Sequence, residues 1–233
     1  MMQKIAEVLY VKVGKVQTTT LKNSKRKELV TAMKKHPVKE AFLTKTGFKQ
    51  DEQADLKHHG GENKALFMFS KRSYEKINQN CNTNFKVDEV ANLGENLILS
   101  DVCEDDICVG DIFNIGEAQV QITQPRQPCW KLSASTKIKQ MTKFIFNSGL
   151  TGWYTKVLKE GTIKQSDFLI LIKREEPLLT ISKLNSLILD VNSDKEATLK
   201  ALSSEFLGKP FKASLEKRYN LGQNDKQFDI YHT

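Results

Sequence analysis

The chain has 233 residues, 39% hydrophobic and 27% charged, enough for one large or two small domains with a buried core, and no apolar run is long enough to span a membrane. Its net charge of +8 is uneven: residues 1–50 hold twelve Lys or Arg against Glu7, Glu28 and Glu40, a net of +9, while the rest holds 24 basic and 25 acidic residues. That asymmetry predicts an anionic partner, a nucleic acid or a phosphate-bearing cofactor, and the absence of aromatic residues interleaved with the charges argues against stable nucleic-acid binding.

In chain order, Met1-Met2-Gln3-Lys4-Ile5 has no signal-peptide core and opens into residues 4–13, which read as a strand ended by Gly14. Residues 15–36 read as irregular and basic, and Asp51 to Gly61 as a polar loop with a sharp turn at Gly60-Gly61. Residues 65–80 read as a helix with Leu66, Phe69, Tyr74 and Ile77 on one face. Residues 107–124 read as a hairpin turning at Gly116-Glu117, its second strand alternating at period two. Helices are predicted over 136–147 and 152–159, then a buried strand over 167–173. Glu175-Glu176-Pro177 marks a boundary between residues 1–174 and 175–233. Beyond it lie three helical segments, 180–190, 194–206 and 211–219, the second capped by Ser193 or Asp194 and separated from the third by Gly208-Lys209-Pro210. The expected architecture is mixed and β-rich, with a small C-terminal three-helix domain.

The hairpin's second strand runs into Gln124-Pro125-Arg126-Gln127-Pro128-Cys129-Trp130-Lys131-Leu132. Two prolines stiffen this loop, and Arg126 and Lys131 favour the thiolate of Cys129, the form that ligates metals or attacks. A buried structural cysteine in a tight turn is the alternative. The other cysteines, Cys81, Cys103 and Cys108, complete no CxxC, disulfide-scaffold or iron–sulfur pattern, so a reducing cytoplasm is the expected location. Cys103 and Cys108 read as structural, without cationic neighbours. Asp51, Glu52 and Asp55 read as a solvated loop or as partners for Lys57 and Arg126, with a paired-carboxylate acid–base site as the functional alternative, and the acidic run Asp101, Glu104, Asp105 and Asp106 as a surface turn, with a hard-cation site as its alternative. Trp130 would wall a pocket, stack on a flat ligand or pack in the core.

Several separated blocks, in order, resemble the MOSC domain, and most closely its YiiM-like subgroup. They are Gly47-Phe48 through Asp51-Glu52-Gln53-Ala54-Asp55-Leu56-Lys57, His59-Gly60-Gly61, Gly94-Glu95-Asn96-Leu97, Val109-Gly110-Asp111-Ile112-Phe113, the Cys129 loop, and Gly149 with Gly152-Trp153. The resemblance spans nearly the whole chain. It implies a β-barrel-like domain with flanking helices and a C-terminal three-helix module. It also implies a molybdenum cofactor (molybdopterin) with Cys129 as metal ligand, and reduction of N-hydroxylated nucleobases such as 6-hydroxylaminopurine, a detoxification. An external flavoprotein or iron–sulfur reductase would supply the electrons.

On that reading Lys35 and Arg126 are candidates for the cofactor's phosphate, and Gly60 and Gly61 would let backbone N–H groups approach an anion. Asn96 would hydrogen-bond the pterin or phosphate, and His59 would donate to the cofactor or carry a proton. The bland alternatives are a surface role for Lys35, an ion pair of Arg126 with Asp111 or Glu95, loop closure by Asn96 and turn stabilisation by His59. Two departures from the family pattern, His58 and Glu62, flank the histidine-glycine block and bear on substrate choice. A different class of function, sulfur carriage or cofactor delivery through a Cys129 persulfide, uses the same cysteine. The helical tail would dock a redox partner, serve as a lid or form a homodimer contact.

Overall fold

The computed structural model describes residues 3–21, 26–56 and 60–221. Thirteen strands occur among them: β1 (Gln3–Val13), β2 (Gln17–Thr20), β3 (Glu28–Thr31), β4 (His36–Val38), β5 (Glu40–Thr44), β6 (Gly47–Phe48), β7 (Leu66–Ser70), β8 (Leu97–Leu99), β9 (Ile112–Ile115), β10 (Ala118–Pro125), β11 (Trp153–Lys159), β12 (Gly161–Lys164) and β13 (Phe168–Lys173). The helices are α1 (Lys71–Cys81), α2 (Trp130–Thr136), α3 (Met141–Ser148), α4 (Ile181–Leu189), α5 (Lys195–Ser203) and α6 (Lys209–Leu221).

The main sheet runs β13-β9-β10-β11-β7-β8-β1 and closes through β1–β13 pairing, a seven-stranded barrel with β4 added beside β1. Only β7–β8 is parallel within it. Closure leaves no open edge among the seven strands, and the interior is filled by side chains such as Val8, Phe113, Val120, Ile122 and Leu169. The expected β-rich, barrel-like fold with flanking helices is the one observed.

The predicted hairpin is β9–β10, with Ala118 opposite Ile115, and the predicted strands over 4–13 and 167–173 are β1 and β13. Four segments differ. Residues 15–36, read as irregular, contain the β2–β3 hairpin. The helix expected over 65–80 begins only at Lys71. Leu66–Ser70 is a fully buried strand whose apolar run also fits a helical spacing, and Ser70 caps the helix by accepting from Ser73 N at 3.3 Å. Residues 152–159 form β11, not a helix: Trp153, Thr155 and Val157 alternate inward. Gly152 introduces that strand at φ +63, where a Cβ would lie 2.5 Å from the Met68 carbonyl oxygen. The helix expected over 136–147 begins only at Met141, as α3; a separate helix, α2, ends at Thr136, where Lys137 adopts a left-handed φ of 60°.

The three C-terminal helices are present. Asp194, one of the two expected caps, accepts from Ala197 N at 3.0 Å. They lie against the barrel: Leu184, Leu187, Phe211 and Leu215 share one apolar cluster with Val109, Val120 and Ile122. Backbone bonds Val109 N to Leu179 O (2.9 Å) and Ile181 N to Ile107 O (2.8 Å) fasten the start of this segment. No helix among the described residues is long and apolar enough to cross a membrane.

Candidate functional site

β10 ends at Pro125, and the loop that follows crosses to the N-terminus of α2. Arg126 N donates to Gly152 O at 3.2 Å. The Cys129 carbonyl accepts from Leu132 N at 2.9 Å and from Thr142 Oγ1 at 3.1 Å, so the cysteine backbone is held at both α2 and α3. Cys129 is half-buried, forms no disulfide, and lines a pocket with about 620 Å³ of empty space including its open mouth. That size suits a small organic ligand.

The pocket gathers Lys35, Asn96, and the Arg126 and Cys129 of one loop, from three separate stretches of chain. Lys35 is buried and its ammonium is paired with Asp51. Burial lowers its pKa, and the Asp51 charge opposes that shift. Asp51 Oδ1 accepts from Gly14 N at 2.7 Å. Asn96 Nδ2 donates to Asp51 Oδ2 (2.9 Å) and to Lys12 O (3.2 Å), while its Oδ1 accepts from Phe67 N at 3.3 Å. Both amide protons of Asn96 are thus committed to the protein, which is the loop-closing arrangement, although the residue lines the pocket.

Arg126 is different. It is only 5% exposed, its guanidinium lies 5.6 Å from the Phe67 ring centroid, and Nη2 donates to Leu93 O at 3.5 Å. It also lies close to the Tyr154 phenol, whose pKa is raised by burial and held back by the Arg126 charge. Nη1 is buried with no hydrogen-bond partner among the described residues. A buried unpaired donor of this kind is uncommon and costly, and it marks a place for an acceptor. Neither expected ion-pair partner holds Arg126: Asp111 binds Arg174 at 2.8 Å and Glu95 binds Lys12 at 2.8 Å.

Gly60 and Gly61 lie beside the pocket, not on its wall. Gly61, at φ +90, opens a single 3₁₀ turn over Glu62–Lys64. A Cβ on Gly60 would come within 2.6 Å of Gln53 Oε1. His59, with Lys57 and His58, lies outside the described residues.

The turn after Gly61 delivers Lys64 to the pocket, a residue that sequence reasoning missed. Burial lowers its pKa, opposed by the charges of Asp55 and then Cys129. Phe67, Tyr154 and Gly94 were missed as well. Tyr154 was hidden by reading β11 as a helix; on a strand, its place between the inward Trp153 and Thr155 turns it to the opposite face.

Of the acidic loop, Glu52 and Asp55 line the pocket, and Glu52 Oε2 accepts from Val16 N at 2.8 Å; other candidates fall elsewhere. Trp130 is covered by Arg26, 4.1 Å from the ring centroid, and is not a pocket wall. Glu104 is not a surface turn residue: it is buried, accepts from Ser73 Oγ (2.6 Å) and Gly152 N (2.9 Å), and joins α1 to the start of β11. Cys103 and Cys108 are buried, with thiol pKa values raised first by desolvation, that of Cys108 to about 11. Each has a cation near it, Arg72 and Arg174 respectively, contrary to expectation.

A family model described as the MOSC domain matches residues 55–169. The chain is 33% identical over 222 residues to the uncharacterized protein YflK of Bacillus subtilis, covering 94% of this chain and 96% of that one. It is 30% identical over 179 residues to Protein YiiM of Escherichia coli, covering 77% and 80%. A Gibberella moniliformis protein named reductase is 26% identical over 182 residues, 78% of this chain and 32% of that protein. Among solved structures, YiiM from Geobacillus stearothermophilus superposes with a TM-score of 0.74 at 27% identity, covering 91% and 98%.

Proposed function

From a chain that belongs to the MOSC domain family, in its YiiM-like subgroup, we propose a molybdenum cofactor-dependent reductase of N-hydroxylated compounds, nucleobases such as 6-hydroxylaminopurine among them. The observation that carries the reading is the buried, unpartnered Nη1 of Arg126 in the same pocket as the Cys129 thiol. An anionic ligand would complete the first, and a thiophilic metal would take the second.

The residues present fit such a group. Cys129 would ligate the metal from an anchored loop, and Arg126 and Lys64 would face the phosphate. Lys35, already paired with Asp51, would contribute a neutral ion pair to the wall. When bound, the cofactor supplies a two-electron metal centre for breaking an N–O bond.

Converting a hydroxylamino group to an amine takes up two electrons and two protons and releases water. The electrons come from an external flavoprotein or iron–sulfur reductase. Tyr154, kept protonated by burial and lying beside Arg126, holds one proton at the pocket, and His59 remains a proton carrier proposed from its place in the sequence. Phe67 and Tyr154, with ring centroids 5.1 Å apart, offer an aromatic wall to a flat base.

The test is molybdenum content of protein purified from a host that makes the cofactor, for the wild type and Cys129→Ala. Metal in the wild type and its loss in the variant, with turnover of 6-hydroxylaminopurine by reduced protein, are the expected results. Absence of molybdenum from both overturns the reading, and sulfane sulfur on Cys129 without turnover would replace it with sulfur carriage.

A further inference from the structure

Beside the pocket lies an ion pair that this chemistry does not use. Lys12 and Glu95 are both fully buried, and Lys12 Nζ donates to Glu95 Oε1 at 2.8 Å. A pair taken wholly out of water gives up about as much hydration as it gains in attraction, and a well-packed apolar pair is often as stable. Its burial against the apolar cluster that holds Tyr74 and Leu93 therefore calls for another reason.

The surrounding bonds supply one. Glu95 Oε2 accepts from Leu93 N at 3.1 Å. The Tyr74 hydroxyl lies beside the same carboxylate, burial and that charge together raising its pKa, and accepts from Asn92 N at 3.3 Å. These contacts fix the turn from Asn92 to Asn96, in which Gly94 has φ +90 and forms pocket wall. There is little slack: a Cβ on Gly94 would lie 3.1 Å from Met33 Cγ. On this turn the Leu93 carbonyl accepts from Arg126 Nη2. Where the turn sets that carbonyl therefore decides where Nη1 of the same planar guanidinium points.

We propose that Lys12 and Glu95 are positioning residues, whose buried ion pair holds the Leu93–Gly94 turn so that the Leu93 carbonyl aims the spare nitrogen of Arg126 into the pocket as an anion donor. The inference rests on reading the pocket as an anion site and on nothing further about the metal.

The test uses the full-length, metal-free protein with inorganic phosphate as probe, measuring affinity by calorimetry beside the thermal unfolding midpoint. Wild type is expected to bind phosphate and Arg126→Met to lose binding. The double variant Lys12→Met/Glu95→Leu is expected to keep a midpoint near wild type while phosphate affinity falls about tenfold or more, because stability and aim separate. Wild-type affinity in the double variant overturns the proposal, as does phosphate binding that ignores Arg126 or is absent from the wild type. If the double variant does not fold, Tyr74→Phe serves: it keeps the ring contacts with Phe69 and Phe85, and a loss of roughly threefold is expected where unchanged affinity would refute the idea. Molybdenum content is read separately. A wild type without molybdenum that still shows this phosphate pattern ends the cofactor reading and leaves the positioning role standing.

Discussion

Asn96 Nδ2 donates to Asp51 Oδ2 at 2.9 Å, and that same oxygen carries the Lys35 ammonium. One carboxylate thus ties the strand-entry residue of β8 to the basic segment before β4. Both charged side chains are buried, so removing one leaves the other uncompensated. Asp51→Asn is expected to destabilise the fold by about 3 kcal/mol, and Lys35→Met/Asp51→Asn to recover most of that loss. Urea unfolding of the three proteins checks it; an additive double variant would mean that the pair is not coupled.

Arg126 carries a buried donor with no partner, so the fold bears a burden there that a ligand would relieve. Arg126→Met is expected to change unfolding free energy by less than about 1 kcal/mol while abolishing retention of molybdenum. Arg126→Lys is expected to retain a fraction of it, since a point charge replaces the fork. Metal analysis beside chemical unfolding decides this.

Cysteine accessibility should separate Cys129 from Cys103 and Cys108. Cys103 and Cys108 are buried, and with a pKa of about 11 the Cys108 thiol is ionised to only about one part in a thousand at pH 8. Iodoacetamide on native protein at that pH should therefore modify Cys129 well before Cys103 and Cys108. Peptide mass spectrometry over a time course gives the order, and prior loading with molybdenum cofactor should protect Cys129.

Glu104 links Ser73 to Gly152 from a buried position, and desolvation raises its carboxyl pKa above the ordinary 4.5. The folded chain then holds its proton more tightly than the unfolded chain. That contribution to stability is fully present below pH 4.5 and is lost as pH rises through the raised folded value. Glu104→Gln keeps an acceptor without the charge. The difference in unfolding free energy, wild type minus variant, should fall with rising pH across this window and then level off; a flat difference would refute it.

Much of the frame was legible from local pattern. Period-two alternation located β10, Gly116-Glu117 located its turn, and the Cys129 loop announced itself by two prolines and two cations around one thiol. Several sequence blocks in order carried the resemblance, including glycines that the structure places at positive φ, such as Gly61, Gly94 and Gly152. Local pattern failed at Leu66–Ser70, an apolar run that fits two periods at once, and at Trp153–Lys159; both are strands because pairing with β8 and β10 satisfies their backbone groups inside a closed barrel.

The sequence by itself determined which side chains were chemically able to act: one thiol in a stiff basic loop with Arg126 beside it, and lysines concentrated in the first fifty residues. Only the tertiary structure decided which of them are already spent. Asp51 neutralises Lys35, Asn96 commits both amide protons to the chain, Lys12 consumes Glu95, and Arg126 alone of that set keeps a buried donor without a partner. The reason is physical: hydrogen-bond and charge partners are settled by contacts between residues dozens of positions apart, and barrel closure, not local propensity, brings those residues together.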